Sequence, residues 1–238
     1  MSAPVWCADL AAAFWAELGD TPPFPRDLRE PASWFRVVVV ELPRLSVTGV
    51  CHWLARRGVQ IELGEPDRPL RGCLYADRGE AFAFLDAADD AAERRFTLAH
   101  ELGHFLRDYW GPRRVAAARL GPAAVDVLDG LREPTFEERL SAVLRDVSVG
   151  PFAHLMRRDE GGRPLTPAER RSEEAADRLA FELLAPAARL DGCDDRGELA
   201  AALVDEYGLP PEPAARYAKL LRPDAPAAEP FVARLLIV

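Results

Sequence analysis

His100-Glu101-Leu102-Gly103-His104 is the stretch on which the reading of this chain turns. Imidazoles at i and i+4 share one face of a helix and can grip one metal ion, with a carboxylate beside them. That geometry is the core of a zinc hydrolase, and it calls for a third ligand. The candidate is Glu173, in the run Arg170-Arg171-Ser172-Glu173-Glu174-Ala175-Ala176-Asp177. Glu173 and Asp177 also stand at i and i+4, so one carboxylate can bind zinc while the other accepts the N–H of a liganding histidine. Two His and one Glu leave the fourth zinc position open to water, as catalysis requires. A structural zinc would close its tetrahedron with Cys or His, which neither segment offers.

Local signals make both segments helices. Asp90-Ala91-Ala92-Glu93 reads as an N-cap with a carboxylate three residues on, and Phe96, Leu98, Ala99, Leu102, Phe105 and Leu106 would bury most of the first helix. Gly103 costs helix stability but admits a second backbone closely. Thr166-Pro167-Ala168-Glu169 opens the second helix as a capping box with Pro in its first turn, and Pro186 marks its end.

Upstream, Leu10, Phe14, Trp15 and Leu18 repeat at helical spacing. A strand is expected at Val37–Leu42, a helix over Val47–Arg57 ending at Gly58, and strands at Val59–Leu63, Cys73–Tyr75 and Ala81–Asp86. Strands followed by metal-bearing helices give an α+β class.

Phe96-Thr97-Leu98-Ala99-His100-Glu101-Leu102-Gly103-His104-Phe105, together with the later Glu-x-x-x-Asp helix ending Glu182-Leu183-Leu184-Ala185-Pro186, resembles the ImmA/IrrE family of bacterial zinc metallopeptidases. The resemblance implies a small mixed or antiparallel sheet packed on a zincin-type helical core. It further implies one Zn2+ per chain and an intracellular, cytoplasmic endopeptidase whose protein substrate is a helix-turn-helix transcriptional repressor. Cleavage would derepress stress, mobile-element or antiphage genes. Spacing and composition carry none of that biology.

In the corresponding mechanism His100, His104 and Glu173 hold the metal, Glu101 is general base and acid, and Asp177 orients one histidine. Tyr75 and His154 are the nameable donors for a developing oxyanion, although residues of each type are more often structural. Cys73 sits in a segment that the family resemblance makes a strand beside the catalytic helix. Its thiolate would either occupy the open zinc position as an inhibitor or simply pack. Cys7, Cys51 and Cys193 are scattered, without the C-x-x-C spacing of a second metal site.

The residues between the metal helices, 107–165, are long for the family and read as a helical insertion, with helices over Ala116–Leu131 and from the Thr135-Phe136-Glu137-Glu138 cap toward Val147. A metallopeptidase domain is expected over 1–187 and a small helical region over 188–238, where Leu199–Leu209 and Pro210–Leu221 form a helix pair. Such a pair suggests helix-turn-helix, but its acidic first helix favours docking against the body or a partner over DNA. The apolar end Phe231–Val238 is expected to pack, add a strand or make a dimer contact.

With 238 residues and 49% apolar content the chain can bury a full core. A net charge of -9 disfavours broad attraction to nucleic acid or anionic membranes, and no apolar run approaches a bilayer span. Two other readings stay open. One is a zinc-containing sensor or anti-repressor that grips a repressor without cutting it, which has no chemical need for Glu101. The other is a hydrolase of a small amide.

Overall fold

The computed structural model describes residues 3–64, 66–144, 147, 149–157 and 166–223. It is an α+β fold in which one mixed four-stranded sheet lies against the two helices expected to carry the metal ligands. The strands are β1 (Val37–Leu42), β2 (Leu70–Asp77), β3 (Glu80–Asp86) and β4 (Phe152–Arg157), in the order β1-β3-β2-β4. β1 runs parallel to β3, while β2 is antiparallel to both β3 and β4.

Alternation along the strands separates two cores. Val37, Leu74, Ala76, Ala81, Ala83 and Leu85 face the helices, where they join Phe96, Leu102, Phe105, Leu179 and Leu183. Val40, Leu70, Cys73, Tyr75 and Phe84 face the other way and pack on α3 (Val47–Ala55) through Val50, Trp53 and Leu54.

α4 (Ala91–His104) starts where the sequence places it: Asp90 accepts from the Glu93 N–H at 2.9 Å. Such a cap is worth about 1 kcal/mol. α8 (Pro167–Leu184) begins in the complete Thr166/Glu169 capping box. Helix α1 (Val5–Leu18) packs Cys7, Ala11 and Phe14 into the first core, and the short α2 (Arg29–Trp34) leads into β1.

Three expectations need correction. Val59–Leu63 forms no strand; Val59, Ile61 and Leu63 instead pack individually against the second core. The helix foreseen over Ala116–Leu131 is broken into α5 (Gly111–Leu120) and α6 (Ala124–Leu128) by Gly121, whose φ of 91° only glycine adopts without strain. The helix capped by Thr135 stops early, as α7 (Phe136–Leu140), because Ser141 turns extended. The insertion is thus not wholly helical, since it returns to the sheet and supplies β4.

α9 (Arg196–Asp205) and α10 (Pro211–Leu221) bury Leu199, Leu203, Tyr217 and Leu221 in the first core, and Tyr217 stacks on Phe181 with ring centroids 4.3 Å apart. The expectations for Phe231–Val238 fall outside the described residues. No helix among the described residues is long and apolar enough to cross a membrane.

Candidate metal centre

α4 and α8 cross at a glycine. A Cβ on Gly103 would stand 2.8 Å from the Ala176 carbonyl oxygen, so only a residue without a side chain lets the two backbones approach this closely. The crossing brings Glu173, one turn before Ala176, over the imidazoles of α4. His100 Nε2 lies 3.4 Å from Glu173 Oε2, and His104 Nε2 lies 3.6 Å from Glu173 Oε1. Donors on a tetrahedral zinc with bonds of about 2.0–2.1 Å stand roughly 3.3 Å apart, so these separations suit one shared ion.

Buried polar atoms without hydrogen-bond partners point the same way. Among the described residues, His100 Nε2, His104 Nε2 and Glu101 Oε1 are all buried and find no hydrogen-bond partner. Leaving such an atom unsatisfied costs about 1–3 kcal/mol, and three together suit a centre that holds an ion and a water. The outer ring nitrogens, by contrast, are anchored: His100 Nδ1 is 3.0 Å from Asp177 Oδ1, and His104 Nδ1 is 3.1 Å from Asp108 Oδ2. In the neutral imidazole, an Nδ1–H donated to a carboxylate leaves the Nε2 lone pair facing inward.

His154 is the fourth member of the cluster, and three of the chain's four histidines therefore meet here. It rides on β4 opposite Leu74, whose side of the sheet faces α4. Its nitrogens are engaged by carboxylates: Nδ1 is 2.9 Å from Glu101 Oε2, and Nε2 is 2.9 Å from Glu173 Oε1. Its ring stacks on His104, with centroids 3.6 Å apart and planes at 23°. The lone pairs of nearly parallel rings run side by side and converge poorly on one ion. This geometry sets His154 beside Glu101 more naturally than in the ligand shell.

The electrostatics reflect that crowding. Burial works against a charge on His100, but the neighbouring carboxylates of Asp177 and Glu173 outweigh it and raise its pKa to about 10. His154 is likewise raised to about 9, because Glu101 and Glu173 overcome its burial. Burial, reinforced by the neighbouring His154, lowers His104 to about 4. Glu173 is held well below the usual carboxylate range: burial opposes this, yet His100 and His154 prevail.

Of the residues singled out in the sequence, the structure brings together His100, Glu101, His104, His154, Glu173 and Asp177. It does not bring Cys73 or Tyr75 to them. Gly72 and Leu74 take the helix-facing positions of β2, so Cys73 and Tyr75 lie in the core on the opposite face of the sheet. There burial pushes the Cys73 thiol well above its usual pKa, the reverse of what a zinc-seeking thiolate needs. Gly72 went unnoticed in the sequence, yet a Cβ there would stand 2.7 Å from Glu101 Oε1. Asp108 was legible as a carboxylate one turn beyond His104, whereas Arg216, whose Nη1 forms an ion pair with Asp177 Oδ2 at 3.1 Å, had no local signal.

No curated protein matches the chain. Residues 70–123 match the Peptidase_M78 family model, described as the IrrE N-terminal-like domain. That span covers β2, β3, α4 and the start of the insertion, but neither β4 nor α8. Together with a cluster whose donors lie within 4.8 Å of one another, it supports a metal-dependent peptidase. The match to the IrrE N-terminal-like domain spans the segment bearing His100, Glu101 and His104 and supports placing the chain in the ImmA/IrrE family of peptidases.

Proposed function

We propose that the protein is a zinc-dependent endopeptidase of the cytoplasm that cleaves a helix-turn-helix transcriptional repressor and so derepresses the genes it controls. His100, His104 and Glu173 would hold the zinc. When bound, the metal polarises the scissile carbonyl and makes a water acidic enough to lose its proton near neutral pH. Glu101 takes that proton through Oε1, its unpartnered oxygen, and passes it to the leaving amine. His154 holds the other oxygen of Glu101 and would serve as an oxyanion donor if its Nε2 is released from Glu173 when that carboxylate binds the metal. Asp177 fixes the ring of His100.

The observation that carries this reading is the trio of buried, unpartnered atoms, His100 Nε2, His104 Nε2 and Glu101 Oε1. A purely structural metal gives no use to Oε1 of Glu101, a buried carboxylate oxygen that lacks a partner among the described residues and is costly to leave so. β4 ends the sheet beside the centre, and a terminal strand can pair with an extended peptide. The repressor as substrate rests on the family resemblance.

The test is incubation of the purified, zinc-loaded protein with the repressor encoded beside its gene, in parallel with Glu101→Gln, followed by intact mass. Discrete fragments with the wild type alone are expected. A repressor that stays intact with a wild-type protein shown to hold zinc would overturn the cleavage reading and favour a binding module.

A further inference from the structure

Both candidate metal histidines lean on a carboxylate, and each carboxylate is backed by an arginine, but the two arrangements differ. Beyond His104 the chain leaves α-helical geometry for a π-helical turn, Phe105–Trp110, and the Gly111 N–H closes it on the Leu106 carbonyl. Such turns are uncommon and often accompany functional sites. Asp108 lies in this turn, with Oδ2 on His104 Nδ1 at 3.1 Å. Arg107 clasps the same carboxylate with two bonds, Nε to Oδ1 at 2.7 Å and Nη2 to Oδ2 at 2.6 Å. The guanidinium also reaches α8, where Nη1 donates to the Ser172 carbonyl at 2.9 Å and Nη2 to the Ser172 hydroxyl. Ser172 directly precedes Glu173.

One planar group thus joins the carboxylate that orients His104 to the backbone next to the candidate ligand Glu173. A guanidinium fork fixes direction as well as distance, which a lysine ammonium does not. Arg216, which backs Asp177 on the His100 side, reaches that carboxylate through a single ion pair and is 48% exposed, against 22% for Arg107. Solvent screens the Arg216 contact more strongly.

We propose that Arg107 and Asp108 are a positioning pair that sets the orientation of His104 and its separation from Glu173, and so the affinity and geometry of the metal site. The proposal rests on the metal-centre reading. It gives Asp108 a role equivalent to that of Asp177 and makes the π-helical turn part of the centre. Neither residue touches substrate, and both act through His104 and Glu173.

The test is zinc affinity, by competition with a chromogenic chelator, and the absorption spectrum of the cobalt-loaded protein, for wild type, Asp108→Asn, Arg107→Gln and Arg107→Lys. Losing such an outer partner typically weakens metal affinity about 10- to 100-fold. Asp108→Asn should fall in that range with an altered cobalt spectrum. Arg107→Gln should follow it, and Arg107→Lys, which keeps the charge but loses the fork, should lie between Gln and wild type. Metal-free melting of the same samples separates misfolding from ligand geometry, and the Lys variant carries the test if another fails to fold. Folded variants with wild-type affinity and an unchanged cobalt spectrum would overturn the pair. A wild type that binds neither ion would overturn the metal reading itself, and the pair with it.

Discussion

Gly103 and Ala176 put the two metal-centre helices in backbone contact: a Cβ on Gly103 would stand 2.8 Å from the Ala176 carbonyl oxygen and 3.1 Å from its Cα. Gly103 adjoins His104, and Ala176 adjoins Asp177. The separation of α4 and α8 is therefore set where the ligands meet. Alanine at 103 would gain about 1 kcal/mol in helix propensity. Overpacking against backbone, which cannot rotate aside, costs about 1–3 kcal/mol. Gly103→Ala should lower stability in urea unfolding and weaken zinc binding. An equally stable variant with wild-type affinity would show that the crossing does not govern the site.

Gly72 plays the corresponding part for the proposed base. An added Cβ would lie 2.6 Å from Thr97 Cγ2 and 2.7 Å from Glu101 Oε1. Displacing a reacting group by about 1 Å can cost on the order of 100-fold in rate. Gly72→Ala should therefore lose about 10- to 100-fold in kcat while binding zinc as the wild type does. Undiminished turnover would contradict the assignment of Glu101.

Much of this was legible beforehand. The i, i+4 histidines, the Thr166 capping box and the period-2 strand at Val37–Leu42 are local signals, and local signals carry through to structure. The alternatives left open for Cys73 and Tyr75 resolve toward packing; the sequence could not decide between them because a one-residue shift on a strand exchanges the two faces of the sheet, and the register of β2 is set by partners distant in sequence. His154 was legible as a donor but not as part of a strand. β4 exists only because the insertion returns to pair with β2, Leu155 opposite Cys73 and His154 opposite Leu74. Arg216 reaches Asp177 across the tertiary fold, and no spacing rule encodes that contact.

His154→Ala separates two roles for the insertion's histidine. If it positions Glu101, removing the 2.9 Å contact to Oε2 should lower kcat about 10- to 100-fold and leave zinc affinity largely intact. A large, parallel loss of zinc measured by chelator competition would instead make it a ligand.

Metal binding should release protons. With a pKa of about 10 before metal binds, His100 carries a proton at pH 7.5 that zinc must displace, whereas His104, at about 4, is already neutral. Apparent zinc affinity should rise with pH from about 6.5 toward 10. The opposite sign holds for the metal-free fold. A histidine raised above its ordinary 6.5 contributes its full stabilisation below that value and loses it as pH climbs through 10. Titration calorimetry at pH 7.5 in buffers of different ionisation enthalpy should show proton release, and zinc binding without it would contradict the charge state assigned to His100.

The most direct measurement is zinc K-edge X-ray absorption on the loaded protein. The account predicts nitrogen and oxygen neighbours only, at about 2.0–2.2 Å, with the scattering of two imidazoles. A sulfur shell near 2.3 Å, or no imidazole scattering, would contradict a centre built from His100, His104 and Glu173.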